Sequence, residues 1–395
     1  MEAFYRTHKY LVTHLGTPVR RGLMDEVDWS QRLIGIKGCR EIGKTTFLLS
    51  YAREYFAPDG RECLYVNLNN FIFTERTLTD FAGEFYAAGG KVLLIDQIFK
   101  YPNWSRELRY CYDHYTNLRI VFTGSSVMRI KEENHEVGDI VAPYYLRGFS
   151  FREYLNLKTG LDLQPFSFDM LMRDRYLIAR DICDQVNPGE YFHDYLHHGF
   201  YPFFLEKRNY SENLLKMMNM TLEVDVLYIR QIEQRYLPKL RRLLYIISQN
   251  DSCTLNISQL SKDIGTSRAT VMNYLKYLKD ARMITLLYPR GEEFPQKPVY
   301  ANLYNPNLLH VINRQTQDER TVNEAFFFNQ LMKDNRVNAY DRHNSFLVND
   351  RYLFRISYPE ARWKVSPDFY YAVDEVEPPL DEPNCIPLWM FGFLY

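Results

Sequence analysis

Short apolar runs recur through the first third of the chain, at Leu33–Lys37, Cys63–Leu68, Val92–Ile95 and Ile120–Thr123. Runs of this length, bounded by polar residues or glycine, predict buried strands. Between them the apolar spacing turns helical. Leu48, Leu49, Tyr51 and Ala52 mark a helix over Thr46–Phe56, and further helices are predicted near Leu78–Ala88 and Trp104–Tyr115. Residues 1–30 read as a helical lead-in. Strands alternating with helices predict an α/β fold, a parallel sheet covered on both faces.

Beyond residue 150 the pattern is mostly helical, over Phe151–Leu157, Asp169–Asp184, Tyr191–His198 and Leu214–Gln231. Residues 256–290 predict a small unit of their own. Leu260 and Ile264 lie on one face of a first helix, and Gly265 turns the chain. Thr266 or Ser267 caps a second helix, on which Val271, Leu275 and Leu278 recur at i, i+4, i+7. Ile284–Leu287 follows as a strand, completing a winged helix-turn-helix pattern. Residues 300–395 return to mixed strand and helix, with strands at Phe346–Val348 and Tyr352–Ile356. Glu375–Pro387, rich in proline and acids, reads as an exposed loop. The expected domains are 1–150, 151–235, 236–300 and 301–395.

The turn after the first strand carries the sharpest chemistry. Gly38-Cys39-Arg40-Glu41-Ile42-Gly43-Lys44-Thr45 satisfies G-x-x-x-x-G-K-[ST] and is followed by Thr46. The glycines permit a backbone that turns consecutive N–H groups onto phosphate oxygens. Lys44 supplies a point charge for the β- and γ-phosphates, Thr45 a hydroxyl for magnesium, and the helix start a positive dipole end. An apolar strand before and an apolar-faced helix after support a P-loop NTPase. Glu41 is electrostatically unhelpful in such a loop, unless its side chain points away.

Val92-Leu93-Leu94-Ile95-Asp96 is an apolar strand ending in an acid, the expected partner of the loop. Asp96 is placed to hold magnesium through a water. The next residue is Gln97, where an ATPase of this kind usually has Glu to deprotonate the attacking water. An amide cannot take that proton, and general-base catalysis contributes about 10²- to 10⁴-fold. Slow hydrolysis is therefore expected. The third strand ends in Thr123-Gly124-Ser125-Ser126, whose hydroxyls suit either sensing of the γ-phosphate or capping of a turn.

KGCREIGKTT, LLIDQIFKYPNWS, IVFTGSS, LRGFSFREYL, HHGFYPFFLE and the terminal IPLWMFGFLY together resemble a bacterial family of AAA+-like ATPases. The resemblance spans nearly the whole chain. It implies an N-terminal ATPase domain, a winged helix and a C-terminal α+β domain similar to restriction endonucleases. It assigns Gly38, Gly43, Lys44 and Thr45 to phosphate and Asp96 to magnesium. Asp139 and Ile140 stand where the family often has arginines, which again points to slow hydrolysis. A working nuclease site needs further acids and a lysine beside Glu324. Ser345 and Arg355 occupy the expected acid positions, and Lys364 is too far along. The resemblance thus implies a nuclease-like fold without a working metal site.

Composition narrows the partners. The chain has 395 residues and a formal net charge of −1, so any nucleic-acid affinity must be local. Six basic residues against two acids give 254–290 an excess of +4. Arg268, Asn273 and Tyr277 lie off the apolar face and can reach DNA. Such a unit also serves as an ATPase lid or a protein contact. The 32 Tyr and 26 Phe are expected in cores. Six scattered cysteines without a Cys-x-x-Cys pair suit reduced thiols in a cytoplasm. There is no signal-peptide pattern and no apolar run of bilayer-spanning length, so no membrane partner is expected. His197-His198 lack a completing acid or cysteine and read as packing residues.

The expected protein is a cytoplasmic nucleotide-dependent switch that binds ATP and Mg²⁺ and hydrolyses ATP weakly. Its further partners are DNA, a copy of itself or a protein client. The alternative is a DNA-binding or scaffold protein whose nucleotide site is structural.

Overall fold

The computed structural model describes the chain except residues 17–18, 207–208, 251–253, 314–317, 341–344, 357–365 and 378–383. Lys364 and Cys253 lie outside the described residues. The chain forms two units, Met1–Arg147 and Gly148–Tyr395.

In the first unit, α1 (Glu2–Thr13) and α2 (Leu23–Glu26) lead into β1 (Leu33–Gly38). Then follow α3 (Lys44–Tyr55), β2 (Cys63–Asn67), α4 (Leu78–Ala87), β3 (Val92–Asp96), α5 (Trp104–His114), β4 (Arg119–Ser125) and β5 (Ala142–Leu146). All five strands are parallel, in the order β2-β3-β4-β1-β5. The α/β expectation therefore holds. The unanticipated strand is β5, which carries Pro143; an edge position tolerates the missing N–H. Residues 33–36 and 92–96 are buried throughout, as strands covered on both faces must be.

The second unit opens with α6 (Phe151–Thr159), α7 (Phe168–Cys183), α8 (Gly189–His198) and α9 (Tyr210–Met220), which runs on as a π-helix over Thr221–Tyr228. Next come α10 (Leu237–Ser248), α11 (Ile257–Asp263) and α12 (Arg268–Asp280). An antiparallel pair, β6 (Ile284–Leu287) and β7 (Tyr300–Leu303), follows. The chain finishes with α13 (Pro306–Ile312), α14 (Glu319–Leu331), β8 (Val337–Ala339), β9 (Ser345–Val348), β10 (Tyr352–Ile356), β11 (Tyr370–Val373) and β12 (Cys385–Pro387). These last five strands form a mixed sheet in the order β12-β11-β10-β9-β8. The exposed-loop expectation for Glu375–Pro387 is corrected at its end, where Cys385–Pro387 is a buried strand parallel to β11. Ile386 is fully buried, and that burial outweighs the composition of the preceding residues.

Aromatic packing dominates this unit. Phe326, Phe327 and Phe328 of α14 are fully buried, as are Phe391 and Phe393 of the terminal segment. Phe327 lies 4.8 Å from Phe391, centroid to centroid. A Cβ on Gly392 would come within 2.4 Å of the Phe151 Cβ, so only glycine lets the terminal segment reach α6. The polar centre is Asn307, fully buried at the start of α13. Its Oδ1 accepts from the Phe200 N–H (2.9 Å) and the Tyr210 hydroxyl, and its Nδ2 donates to the carbonyls of Leu196 (2.7 Å) and Tyr195 (3.1 Å). Every hydrogen-bonding position of the amide is thus filled.

His197 stacks on His310 of α13 at 3.6 Å between centroids. The His310 Nε2 is buried without a hydrogen-bond partner among the described residues. His198 bonds Asp194 instead (3.1 Å). Burial, reinforced by His197, His193 and His198, pulls His310 down to about 4.

Two predictions follow from these contacts. Asn307→Ala leaves several buried groups unpaired and should cost about 3 kcal/mol or more; a free energy of unfolding from urea titration that falls by less than about 1 kcal/mol would contradict this. His310 takes up a proton more readily when unfolded. Its contribution is therefore complete above the ordinary histidine value of 6.5 and is lost as pH falls toward about 4. Urea midpoints at pH 7 and pH 5 should differ less in His310→Phe than in the wild type; equal differences would refute that role.

Candidate nucleotide site

The site sits at the carboxyl ends of β1, β3 and β4. Register places Gly38 beside Ser125 on one side and Leu146 on the other. A Cβ on Gly38 would lie 2.6 Å from the Leu146 carbonyl oxygen, so β1 must end in glycine here. Gly43, at φ +96°, takes the left-handed conformation that starts α3. Cys39 and Ile42 are buried beneath the loop, Arg40 is half-buried, and Glu41 is exposed at φ +56°. Exposure lets water screen the Glu41 carboxylate.

Helix α3 begins without a side-chain cap. The first N–H groups of a helix have no intrahelical partner, and here they stand at the mouth of a glycine-flanked loop. That arrangement suits the oxygens of a phosphate chain. Lys44, in the first turn, donates from Nζ to the carbonyls of Cys39 (2.6 Å) and Gly38 (3.1 Å). The ammonium is thereby folded back over the loop. Thr45 and Thr46 are exposed at the same helix start.

Asp96 is 1% exposed and gathers the polar ends of three strands and α3. Its Oδ2 accepts from the hydroxyls of Thr45 (2.6 Å) and Tyr65 (2.9 Å). Its Oδ1 accepts from the Thr123 hydroxyl and the Gln97 N–H (3.1 Å). Burial, and then the adjoining Asp96 carboxyl, push the Tyr65 phenol far above its usual range, so Tyr65 remains a donor. Thr45 and Asp96 are the residues that would hold a hydrated magnesium ion, which would supply charge neutralisation to a phosphate chain.

Gln97 follows Asp96 in the left-handed region at φ +59°. Its N–H is held by Asp96 and by the Thr123 hydroxyl (2.9 Å), contacts that offset the backbone strain. Its Oε1 accepts from the Asn69 Nδ2 (2.7 Å). Sequence reading missed Tyr65 and Asn69. They reach the site because Asn67 pairs in register with Asp96, a neighbour relation that only strand order reveals. Ser125 is 2% exposed and its Oγ accepts from the Val127 N–H at 3.4 Å, while the buried Ser126 Oγ has no hydrogen-bond partner. Asp139 accepts from the Arg109 Nη1 on both carboxyl oxygens (3.0 Å), and Ile140 is half-buried.

Elsewhere, Arg268 and Asn273 are exposed on α12 and Tyr277 is half-buried. Glu324 is fully buried, accepting from the Tyr300 hydroxyl (2.6 Å) and Arg320 (3.2 Å), and burial raises its carboxyl. Ser345 accepts from the Arg355 Nε (3.0 Å) across β9 and β10. Where a metal site of the nuclease kind would need acids, a guanidinium and a hydroxyl bond to each other.

Comparison with known proteins agrees with the first unit. Residues 30–155 match a family model described as an AAA domain (AAA_14), and residues 189–301 match a domain of unknown function (DUF8612). Two proteins of Methanocaldococcus jannaschii are similar in sequence. MJ1637 is 24% identical over 66% of this chain and 58% of its own length; MJ1544 is 24% identical over 64% and 55%. The chain thus spans little more than half of each relative. Among solved structures, the Aeropyrum pernix ORC1 protein in complex with DNA overlaps 82% of this chain and 91% of its own at 11% identity and a TM-score of 0.31. Domain III of the Thermotoga maritima replication initiation protein DnaA overlaps 47% and 85% at 18% identity and 0.24. Overlaps at these scores carry no argument about ligand or partner. The family match and the phosphate-loop geometry agree on the first unit: residues 30–155 are similar to an AAA domain, and their parallel sheet and loop have the fold of a P-loop NTPase.

Proposed function

We propose that this protein is an ATP-dependent switch that binds Mg·ATP at Gly38–Thr46 and hydrolyses it slowly. The observation that carries the reading is the uncapped start of α3, set behind Gly43 and beside the Thr45–Asp96 pair. Backbone N–H groups of the loop would take the phosphate oxygens. Lys44 would exchange its loop carbonyls for the β- and γ-phosphates, and Thr45 and Asp96 would hold the magnesium. When bound, the ion would neutralise charge on the phosphate oxygens.

Slow turnover follows from Gln97. Its amide can orient a water by hydrogen bonding but cannot remove the proton. Asn69 holds that amide in place, and Asp139 offers no cation to developing phosphate charge. Ser125 and Ser126, at the tip of β4, are the candidates for sensing the γ-phosphate. The cysteines are compatible with a reducing cytoplasm: among the described residues Cys39, Cys63, Cys111, Cys183 and Cys385 form no disulfide. Among those residues, too, no helix is long and apolar enough to cross a membrane.

A second reading concerns residues 256–303. Two helices joined by a turn at Gly265 (φ +60°), followed by an antiparallel strand pair, have the order of a winged helix. The exposed Arg268 and Asn273, with Tyr277, support duplex DNA as a partner of α12. A protein client, or a second copy of the chain, would meet the same exposed face.

ATP at about 100 times its Kd should stabilise the nucleotide-binding unit by about 2.7 kcal/mol, which raises its melting temperature by roughly 5–10 °C. Lys44→Ala should abolish the shift while leaving the ATP-free melt in place; an undiminished shift in that variant would refute the site. Gln97→Glu restores a proton acceptor and should raise ATP turnover by about 10²-fold or more, within the 10²- to 10⁴-fold that a general base supplies. Unchanged turnover would mean that another step limits the reaction.

A further inference from the structure

The basic residues of the second unit are unevenly committed. Within residues 254–290, four of the six cations already face protein groups. Lys276 lies over the Phe294 ring (4.6 Å), Lys279 over Tyr288 (5.4 Å) and Arg282 over Tyr304 (5.6 Å), while Arg290 pairs with Asp350 (2.8 Å). The recognition-type helix α12 therefore presents less free charge than its sequence suggests. The other two, Lys262 and Arg268, flank the turn and are exposed.

Helix α10 adds cations to that same turn. The Lys239 Nζ donates to the Gly265 carbonyl (2.6 Å), and the Arg242 Nε donates to the Asp263 carbonyl (2.9 Å). Arg242 is exposed and Lys239 half-exposed. Each is anchored by a single bond. The ammonium keeps two donors, and the guanidinium keeps both terminal nitrogens. Anchoring fixes the long side chains in advance, so less rotamer freedom is lost on binding a phosphate. The Asp263 carboxylate accepts from the Gln259 amide (2.8 Å). Residues 235–268 hold six basic residues and two acids in a chain whose net charge is −1, and of the six Arg235 and Arg241 pair with Glu233 (2.8 Å) and Glu223 (2.6 Å) outside that stretch. The remainder of the chain is correspondingly acidic.

We infer that Lys239, Arg242 and Lys262, with Arg268, form a phosphate-backbone clamp for duplex DNA around the turn between α11 and α12, supplying sequence-independent affinity. The inference rests on the duplex-binding reading of residues 256–303 and assigns most of the energy to α10 and the turn instead of base contacts from α12. Four phosphate contacts should make log K fall with log salt at a slope of roughly −3.6. Affinity should then drop about 100-fold between 50 and 200 mM salt.

The test is fluorescence anisotropy of a short labelled duplex of mixed sequence with the full chain, titrated at several salt concentrations. Lys239→Gln/Arg242→Gln/Lys262→Gln should flatten the slope by about three, alike for unrelated duplex sequences. Asn273→Ala/Tyr277→Ala should leave the slope unchanged. Because Lys239 and Arg242 also brace the turn, Lys262→Gln alone, with no partner among the described residues, serves as the fold-neutral variant and should flatten the slope by about one. If the wild type binds no duplex at low salt, both the duplex reading and the clamp fail. If it binds, but only Asn273→Ala/Tyr277→Ala weakens it, the duplex reading survives and the clamp is overturned. Equal affinity for polyaspartate, or for an acidic peptide, would also overturn it, since the partner would then not be a nucleic acid.

Discussion

The first unit depends on one constraint, that β1 must end and α3 must begin within a few residues while leaving the helix start uncapped. Leu146 presses so close that Gly38 admits no Cβ, and Gly43 must turn through the left-handed region. The uncapped N–H groups and the folded-back Lys44 side chain are the consequence. A helix end left this way costs stability unless something polar comes to it. Phosphate oxygens would meet that need, and the positive dipole end would favour their charge.

Around this start the sheet gathers the rest of the chemistry by register. Thr45 comes from α3, Asp96 from β3, Thr123 from β4 and Tyr65 from β2, and three hydroxyls and one N–H fill the two oxygens of a single buried carboxyl. Such a cluster is rigid, because losing any donor leaves a buried lone pair without a partner. Gln97 is held by the same network in a strained conformation and is braced by Asn69. The site is thus ordered for binding and ill-equipped for proton abstraction. On the function proposed above, this arrangement would separate nucleotide binding from rapid turnover.

Much of this was legible in the sequence because the information is contiguous. The phosphate loop is one unbroken octapeptide, and Asp96 ends a run of four apolar residues, so strand and acid are read together. The parallel sheet followed from alternating strand and helix patterns. Tyr65 and Asn69 were not legible, since they lie about thirty residues from Asp96 and Gln97, their respective partners, and meet them only through strand pairing. Strand β12 was hidden by the proline- and acid-rich residues before it, although Cys385-Ile386 is buried against β11. Basic residues on and just after α12 were visible, but the commitment of Lys276, Lys279 and Arg282 to Phe294, Tyr288 and Tyr304 was not, because ring contacts of this kind depend on tertiary packing.

The central claim is that the start of α3 binds a nucleotide triphosphate with magnesium. Isothermal titration calorimetry of the full chain with ATP, with and without magnesium, tests it most directly. The account predicts one site per chain, tighter with magnesium than without it because Thr45 and Asp96 take part. Absence of any binding heat at protein and ATP concentrations well above the micromolar range, in a sample that melts cooperatively, would contradict it.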